Sequence, residues 1–332
     1  MTKVLVTGGA GFIGSHLVDL LVAQGTPVTV LDNFASGERE NLEEAQASGR
    51  LRLVEGSILD PHAVAEAVSG CDTVFHLAVE CVRRSLGKPL ENHDINATGT
   101  LHVLEAARKA GVAKFVYCSS SEVYGNASDG LLSERAVICE PVTVYGAAKL
   151  AGEYYTKAYY RTYGMKTVVV RPFNAYGPRE HDQADLAEVI PRFVIRVMNG
   201  LPPVIFGDGR NGRDFTYVTE VARGLALASN CDALLGREVN IAFGRMVTVA
   251  DVARAVARLC QRPDLQPVFI AERPGDVRAL HADTSLAHDT LGYKARISFE
   301  EGLEKYIAWF ARKYPDPSVL LEPDAVNWQM PK

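Results

Sequence analysis

The sequence predicts an α/β fold, a doubly wound parallel sheet followed by a smaller C-terminal α/β lobe. Three observations predict it. Short apolar runs alternate with helical patterns of about 10–20 residues through the first half, a rhythm that implies parallel strands joined by right-handed crossovers. A glycine-rich turn, Gly8-Gly-Ala-Gly11-Phe-Ile-Gly14, joins the first run to the first helix. After residue 171 the rhythm stops, and Pro, Gly and Arg loop signals take over.

Each element follows from its residues. Lys3–Thr7 is a short apolar strand, and a helical pattern runs from the glycine turn to about Gln24. Val28–Leu31 is the second strand, ending on Asp32. A loop and helix cover Phe34–Ser48, and Leu51–Val54 is the third strand. Asp60-Pro61 opens the next helix, because Asp caps well and Pro suits the first helical position. Thr73–Leu77 and Phe115–Cys118 are strands on either side of a long helix, Pro89–Ala110. A second long helix, Val142–Tyr163, precedes the strand Thr167–Val170. Further on, helices are expected at Glu188–Met198, Val218–Ser229, Thr248–Cys260 and Phe299–Lys313, with one more strand at Val239–Ala242. The runs Leu201-Pro-Pro, Gly207-Asp-Gly-Arg-Asn-Gly-Arg and Arg273-Pro-Gly-Asp between them are loops. The expected division is 1–171, with 214–244 returning to it, against a lobe of 172–213 and 245–332.

Bulk composition narrows the function. At 332 residues the chain can bury a sizeable core. A net charge of −5 argues against a nucleic-acid binder that relies on a basic surface. No apolar run is long enough to span a bilayer. The six cysteines include no C-x-x-C pair, so neither a metal site nor a redox dithiol is indicated. Reduced thiols and the absence of a signal-peptide pattern lead to an expected cytoplasmic location.

The glycine turn points to a dinucleotide. Gly8, Gly11 and Gly14 permit a tight turn and close approach of backbone to pyrophosphate. The helix N-terminus behind them offers free N–H groups and the positive end of its dipole. Asp32, ending the second strand, can accept both adenosine ribose hydroxyls and repels a 2′-phosphate, so NAD is expected over NADP. Asn33, Ser36 and Gly37 extend that contact. Strand, turn, helix, second strand and acid together make this a Rossmann-type sheet. Downstream, Tyr145-Gly-Ala-Ala-Lys149 places a phenol and an ammonium on one helix face. An adjacent positive charge is expected to lower the tyrosine pKa, giving a proton-transfer group.

Seven ordered motifs, beginning with the fingerprint Thr7–Gly14, resemble the extended short-chain dehydrogenase/reductase family, in its nucleotide-sugar epimerase, dehydratase and decarboxylase group. The others are His76-Leu77-Ala78-Val79, Asp94-Ile-Asn-Ala-Thr-Gly-Thr100, Ser119-Ser-Ser-Glu-Val-Tyr-Gly125 with Tyr145-x-x-x-Lys149, Arg171-Pro172-Phe-Asn-Ala-Tyr-Gly-Pro-Arg179, Gly212-Arg-Asp-Phe-Thr216 and Arg273-Pro-Gly-Asp276. The resemblance implies that Tyr145 is the base, that Lys149 assists it and binds the nicotinamide ribose, and that Ser120 orients a sugar hydroxyl. Ser121 and Glu122 fall where dehydratases carry Asp-Glu and decarboxylases Ser-Glu. It also implies that Phe12, Ile13, Ser57, Ile58, Leu77, Ala78, Val79, Cys118 and Pro172 line the cofactor cleft. The usual acidic adenine contact is replaced by Ser57-Ile58, and Cys118 reads as a core thiol. Asn174, Arg213, Arg273 and Asp276 match contacts to diphosphate, sugar or ribose, while Glu188, Val189, Arg192, Val204 and Phe206 match the nucleoside pocket. Arg83, in the loop Glu80–Ser85, can bind a sugar carboxylate or stand solvated.

The implied chemistry begins with oxidation of a sugar C4 hydroxyl to a 4-keto sugar. Hydride return to the other face makes a 4-epimerase, acting on a UDP-hexose or UDP-uronic acid. Loss of CO₂ or of water would make a decarboxylase or a 4,6-dehydratase using Glu122, and a non-catalytic NAD-binding protein is the remaining class. No metal is expected. The two long helices match the family's dimer-forming pair, so a homodimer is expected.

Overall fold

The computed structural model describes residues 2–126, 130–183, 186–273 and 275–322. Pro274 of the Arg273–Asp276 run and the last residues of the expected lobe, 323–332, lie outside the described residues. The first strand, β1 (Val4–Thr7), is buried along its whole length, as a strand covered on both faces must be. With it run β2 (Val28–Asp32), β3 (Leu51–Glu55), β4 (Thr73–His76), β5 (Lys114–Cys118) and β6 (Lys166–Pro172). Short strands follow: β7 (Ala175–Tyr176), β8 (Val204–Phe206), β9 (Gly212–Asp214), β10 (Thr216–Tyr217), β11 (Glu238–Ile241), β12 (Met246–Thr248), β13 (Val268–Ile270) and β14 (Ala279–Leu280). The large sheet has the order β11-β6-β5-β4-β1-β2-β3, and every pairing in it is parallel.

Alternation along the strands divides the core in two. Val4, Val6, Phe75, Val116, Val168 and Val170 face α1 (Phe12–Ala23) and α9 (Val218–Ser229). Leu5, Val74, Phe115, Tyr117 and Val169 face α3 (Pro61–Val68), α6 (Gly99–Lys109) and α7 (Val144–Tyr163). The remaining helices are α2 (Glu43–Ala47), α4 (Val82–Gly87), α5 (Pro89–His93), α8 (Val189–Met198), α10 (Val249–Leu259), α11 (Ser285–Leu291) and α12 (Phe299–Lys313). A separate apolar cluster, including Ile190, Phe193, Val252 and Phe310, joins α8, α10 and α12.

Helix ends follow local chemistry. Asp60 accepts from His62 N–H ahead of Pro61, as the sequence predicts. The helix expected from Val142 begins at Val144, because Thr143 is extended and its hydroxyl caps Gly146 N–H. It ends on Gly164 at φ 68°, the left-handed conformation glycine adopts freely. Two expectations change. Residues 80–85, read as a loop, contain the start of α4, a short helix with no glycine or proline before its last residue, Gly87. The long helix from Pro89 is broken in phase by a π-helical turn, Asp94–Thr98.

That turn has a visible purpose. Asn96 accepts from Glu80 N–H and donates to Glu80 C=O at 2.9 Å each. Asn92 donates to the carbonyls of Glu80 and Cys81. Thr100 meets His76 at 3.0 Å. One helix thereby satisfies the buried backbone just beyond β4. Among the described residues no helix is long and apolar enough to cross a membrane.

Replacing Asn96 with Ala leaves the Glu80 backbone N–H buried and unpaired, while its C=O keeps only the bond from Asn92. The expected cost is about 1–3 kcal/mol, read as a lower urea midpoint at unchanged slope.

Candidate active site

The sheet order reverses between β1 and β4, and in such sheets the crevice beyond the strand ends is where ligands bind. There lies a cleft that opens to solvent. Gly8 sits at φ 68°, and a Cβ on it would come within 2.7 Å of the Ala78 backbone. A Cβ on Gly14 would stand 2.0 Å from the Gly8 carbonyl oxygen. No larger residue fits either place. Gly11, the residue before α1, brings no side-chain cap to the helix N-terminus, so its first N–H groups remain available to an anion. Asp32 accepts from Ala10 and Phe34 N–H at 2.9 Å each, although burial raises its carboxyl above the ordinary value. A cradle with no room for side chains, an uncapped helix end and a strand-terminal carboxylate suit a dinucleotide.

Most of the predicted cofactor residues meet here. Phe12, Ile13, Asn33, Ser36, Ser57, Ile58, Leu77, Ala78, Val79, Cys118 and Pro172 all line the cleft with Gly8, Gly11, Gly14 and Asp32. Gly37 stands behind the lining, close-packed on Ala10. The Thr7 hydroxyl holds the far wall by accepting from Leu77 and Ala78 N–H, and it meets His76 at 2.7 Å. Burial and the charge of Lys149 push His76 down to about 3, so its imidazole is neutral.

Tyr145, Lys149, Ser120, Ser121 and Glu122 share the same cleft. Ser120 opens a short 3₁₀ turn, Ser121–Val123, and accepts from Glu122 N–H. Lys149 is buried, with its ammonium donating to Cys118 C=O at 2.8 Å and lying 4.9 Å from the Tyr117 ring. Burial lowers it to about 8. The sequence-based expectation of a tyrosine made acidic by its lysine neighbour does not hold for the chain alone. Burial raises Tyr145 above its ordinary value, and the hydrogen bond with Ser120 only partly opposes this. A low-dielectric site penalises a phenolate, and the Lys149 ammonium has a carbonyl to bond. Burial likewise raises Glu122, against the pull of Arg213 and Arg273.

The predicted substrate residues fall into two groups. Arg83, Asn174 and Glu188 line the cleft. Arg83 donates to Leu186 C=O and lies 3.9 Å from Glu188. Burial acts to raise Glu188, but His181, 3.7 Å away, and the charge of Arg83 hold it below its ordinary value. The second group stands beside the cleft. Arg213 and Arg273 both donate to Asp276, at 2.7 and 2.8 Å. Val189 begins α8, Val204 and Phe206 form the ends of β8, and Arg192 lies 5.7 Å from the Phe206 ring.

Sequence reasoning missed His181, Glu80, Cys81, Ile95 and Ser119 in the lining. His181 had a signal, since it stands two residues beyond the Tyr176–Arg179 run. Arg179 adopts φ 68° and ion-pairs with Asp19 of α1, which carries the chain back toward the glycine turn. Ile95 had none, because its helix face depends on the π turn.

Comparison with known proteins agrees with this geometry. Residues 4–242 match the model of the NAD dependent epimerase/dehydratase family. A UDP-glucose 4-epimerase of Mycolicibacterium smegmatis is 35% identical, over 94% of this chain and 99% of its own. The solved UDP-glucose 4-epimerase of Thermotoga maritima, with UDP-glucose, is 35% identical and superimposes with a TM-score of 0.88, covering 94% of this chain and 99% of that one. A dTDP-glucose 4,6-dehydratase of Streptomyces venezuelae, solved with NAD, is 33% identical with a TM-score of 0.88, covering 94% and 98%. With a glycine cradle fitted to its cofactor and a family match over most of its length, the chain belongs to the NAD-dependent epimerase/dehydratase family of extended short-chain dehydrogenases/reductases.

Proposed function

We propose that the protein is a nucleotide-sugar 4-epimerase that passes through a 4-keto sugar, with a UDP-hexose as substrate. The observation that carries this reading is the convergence of Ser120, Tyr145 and Lys149 on the cleft that the glycine turn also lines. Bound NAD supplies the hydride acceptor and donor for C4. Gly8, Gly11, Gly14 and Asp32 hold the cofactor by its pyrophosphate and ribose. Tyr145 takes the C4 hydroxyl proton in the first half of the reaction and gives it back in the second. Ser120, hydrogen-bonded to Tyr145, orients that hydroxyl, and the Lys149 ammonium favours the phenolate. Asn174, Arg213, Arg273 and Asp276 bind the diphosphate and ribose, and Val189, Arg192, Val204 and Phe206 bound the nucleoside.

Two features support a neutral C6. Arg83 is already engaged by Leu186 and Glu188, and an ionised Glu188 in the cleft repels a sugar carboxylate. Ser121, where an acid would assist loss of water, is a buried serine, which disfavours dehydration. A second reading has one observation behind it. The raised carboxyl of Glu122 can serve as a proton donor for a decarboxylase or dehydratase.

We further infer a homodimer through α5–α7, because Leu90 and Tyr154 are strongly exposed on these helices. Sedimentation equilibrium at twice the chain mass of 36.1 kDa is the expected result, and a monomer contradicts it.

Incubation with UDP-glucose, UDP-N-acetylglucosamine and UDP-glucuronate, followed by mass spectrometry, tests the reaction. A new isomer of unchanged mass is expected from a UDP-hexose, whereas loss of 44 or 18 Da, each roughly a CO₂ or a water, transfers the assignment to the second reading. Tyr145→Phe is expected to lower kcat by about 10²–10⁴-fold with NAD retained. The profile of kcat/KM is expected to carry an alkaline limb, because the Lys149 ammonium is lost as pH rises through about 8.

A further inference from the structure

Behind the catalytic groups lies a buried charge pair that the proposed mechanism does not use. Glu153 is fully buried on α7, and Arg171 on β6 is nearly so. The Arg171 guanidinium donates to both carboxylate oxygens of Glu153, at 2.8 and 2.6 Å. The Ser119 hydroxyl donates to the same carboxylate at 2.6 Å. Arg171 also packs 4.7 Å from the Tyr124 ring. Breaking such a pair by removing one partner is costly, while neutral replacements of both are often tolerated. The pair is therefore no requirement of packing alone.

Its position ties it to the chemistry. Tyr145, Lys149 and Glu153 follow one another at four-residue intervals, so they lie along one face of α7. Ser119 immediately precedes Ser120 and lines the cleft itself. Lys149 donates to Cys118 C=O, one residue earlier on the same strand end. Two bonds from α7 thus grip successive residues of β5 and its exit, one through the ammonium and one through the carboxylate.

We propose that Glu153 is a positioning residue of the catalytic site, fixing Ser119 and Ser120 against the face of α7 that carries Tyr145 and Lys149 and supplying the fixed negative charge behind the Lys149 ammonium. The proposal rests on the reading of Tyr145 and Lys149 as the hydride-transfer site. The groups facing Lys149 are Cys118, Tyr117, His76, Tyr145 and Glu153. His76 is neutral, and burial raises the Cys118 thiol to about 11, so it too is uncharged while Lys149 titrates. Glu153 is left as the anion that opposes the burial of that cation.

The test reads Lys149 directly. Lysine labelled with ¹³C at Cε is titrated by NMR in the NAD-loaded protein, and the Lys149 signal is assigned by its loss in Lys149→Met. In Glu153→Gln the midpoint is expected to move to lower pH, and kcat/KM to fall by about 10–100-fold. Ser119→Ala is expected to lower kcat while leaving the Lys149 midpoint in place. If Glu153→Gln does not fold, the double variant Glu153→Gln/Arg171→Met removes the stranded cation and is expected to show a smaller shift in the same direction, because the Arg171 charge leaves with that of Glu153. An unchanged Lys149 midpoint in the folded variant overturns the proposal, as would happen if Glu153 only held the core together. The titration needs no sugar substrate, so it stands apart from a failure of the epimerase reading, which the wild-type product assay reports.

Discussion

Everything in the cleft depends on how closely three backbone segments approach one another. Gly8 presses on the Ala78 backbone and Gly14 on the Gly8 carbonyl, while Thr7 accepts from the N–H groups of Leu77 and Ala78. This contact sits where the sheet order reverses. It sets the width of the crevice, the angle of α1 and the direction in which the chain leaves β4. A cofactor held by backbone needs backbone to be near, and only glycine allows that here.

The proposed catalytic groups are held from the opposite side by α7. Its N-terminal turn carries Tyr145, the next carries Lys149, and both face the ends of β5 and β6. The site is dry enough to disfavour the phenolate that the chemistry needs. The protein alone therefore keeps Tyr145 protonated, the form that would return a proton to a ketone in the proposed reaction. Ser120 stands in the same cleft, so the proposed reaction asks little reorganisation of these groups.

Much of the fold was legible in the sequence because strands of four to seven residues and helices of eight to twenty produce detectable periodicity. The strands β7 to β10 and β12 to β14 have two or three residues, too few for any period, and the sequence predicts no strand at these places. At the site, Gly8, Gly11, Gly14 and Asp32 were legible because their role depends on local backbone. Tyr145 and Lys149 were legible as a helical pair, but the direction of the Tyr145 shift was not. It depends on burial, which only the folded chain sets. Glu80 and Ile95 reach the cleft through tertiary folding of the chain, and spacing alone does not reveal that.

The π turn at Asp94–Thr98 has a consequence for how the chain can change. A turn of this kind holds one residue more than an α-helical turn, so deleting a residue there would close it into an α-helical turn and shift Asn96 against Asn92 and Thr100. Asn92 and Asn96 on one side and Thr100 on the other could not then all keep their partners at Glu80, Cys81 and His76. Substitutions along the exposed face of the helix are free to accumulate, but its length is not. In lineages that descend from this chain, insertions and deletions are expected to collect in the loops and to spare this segment.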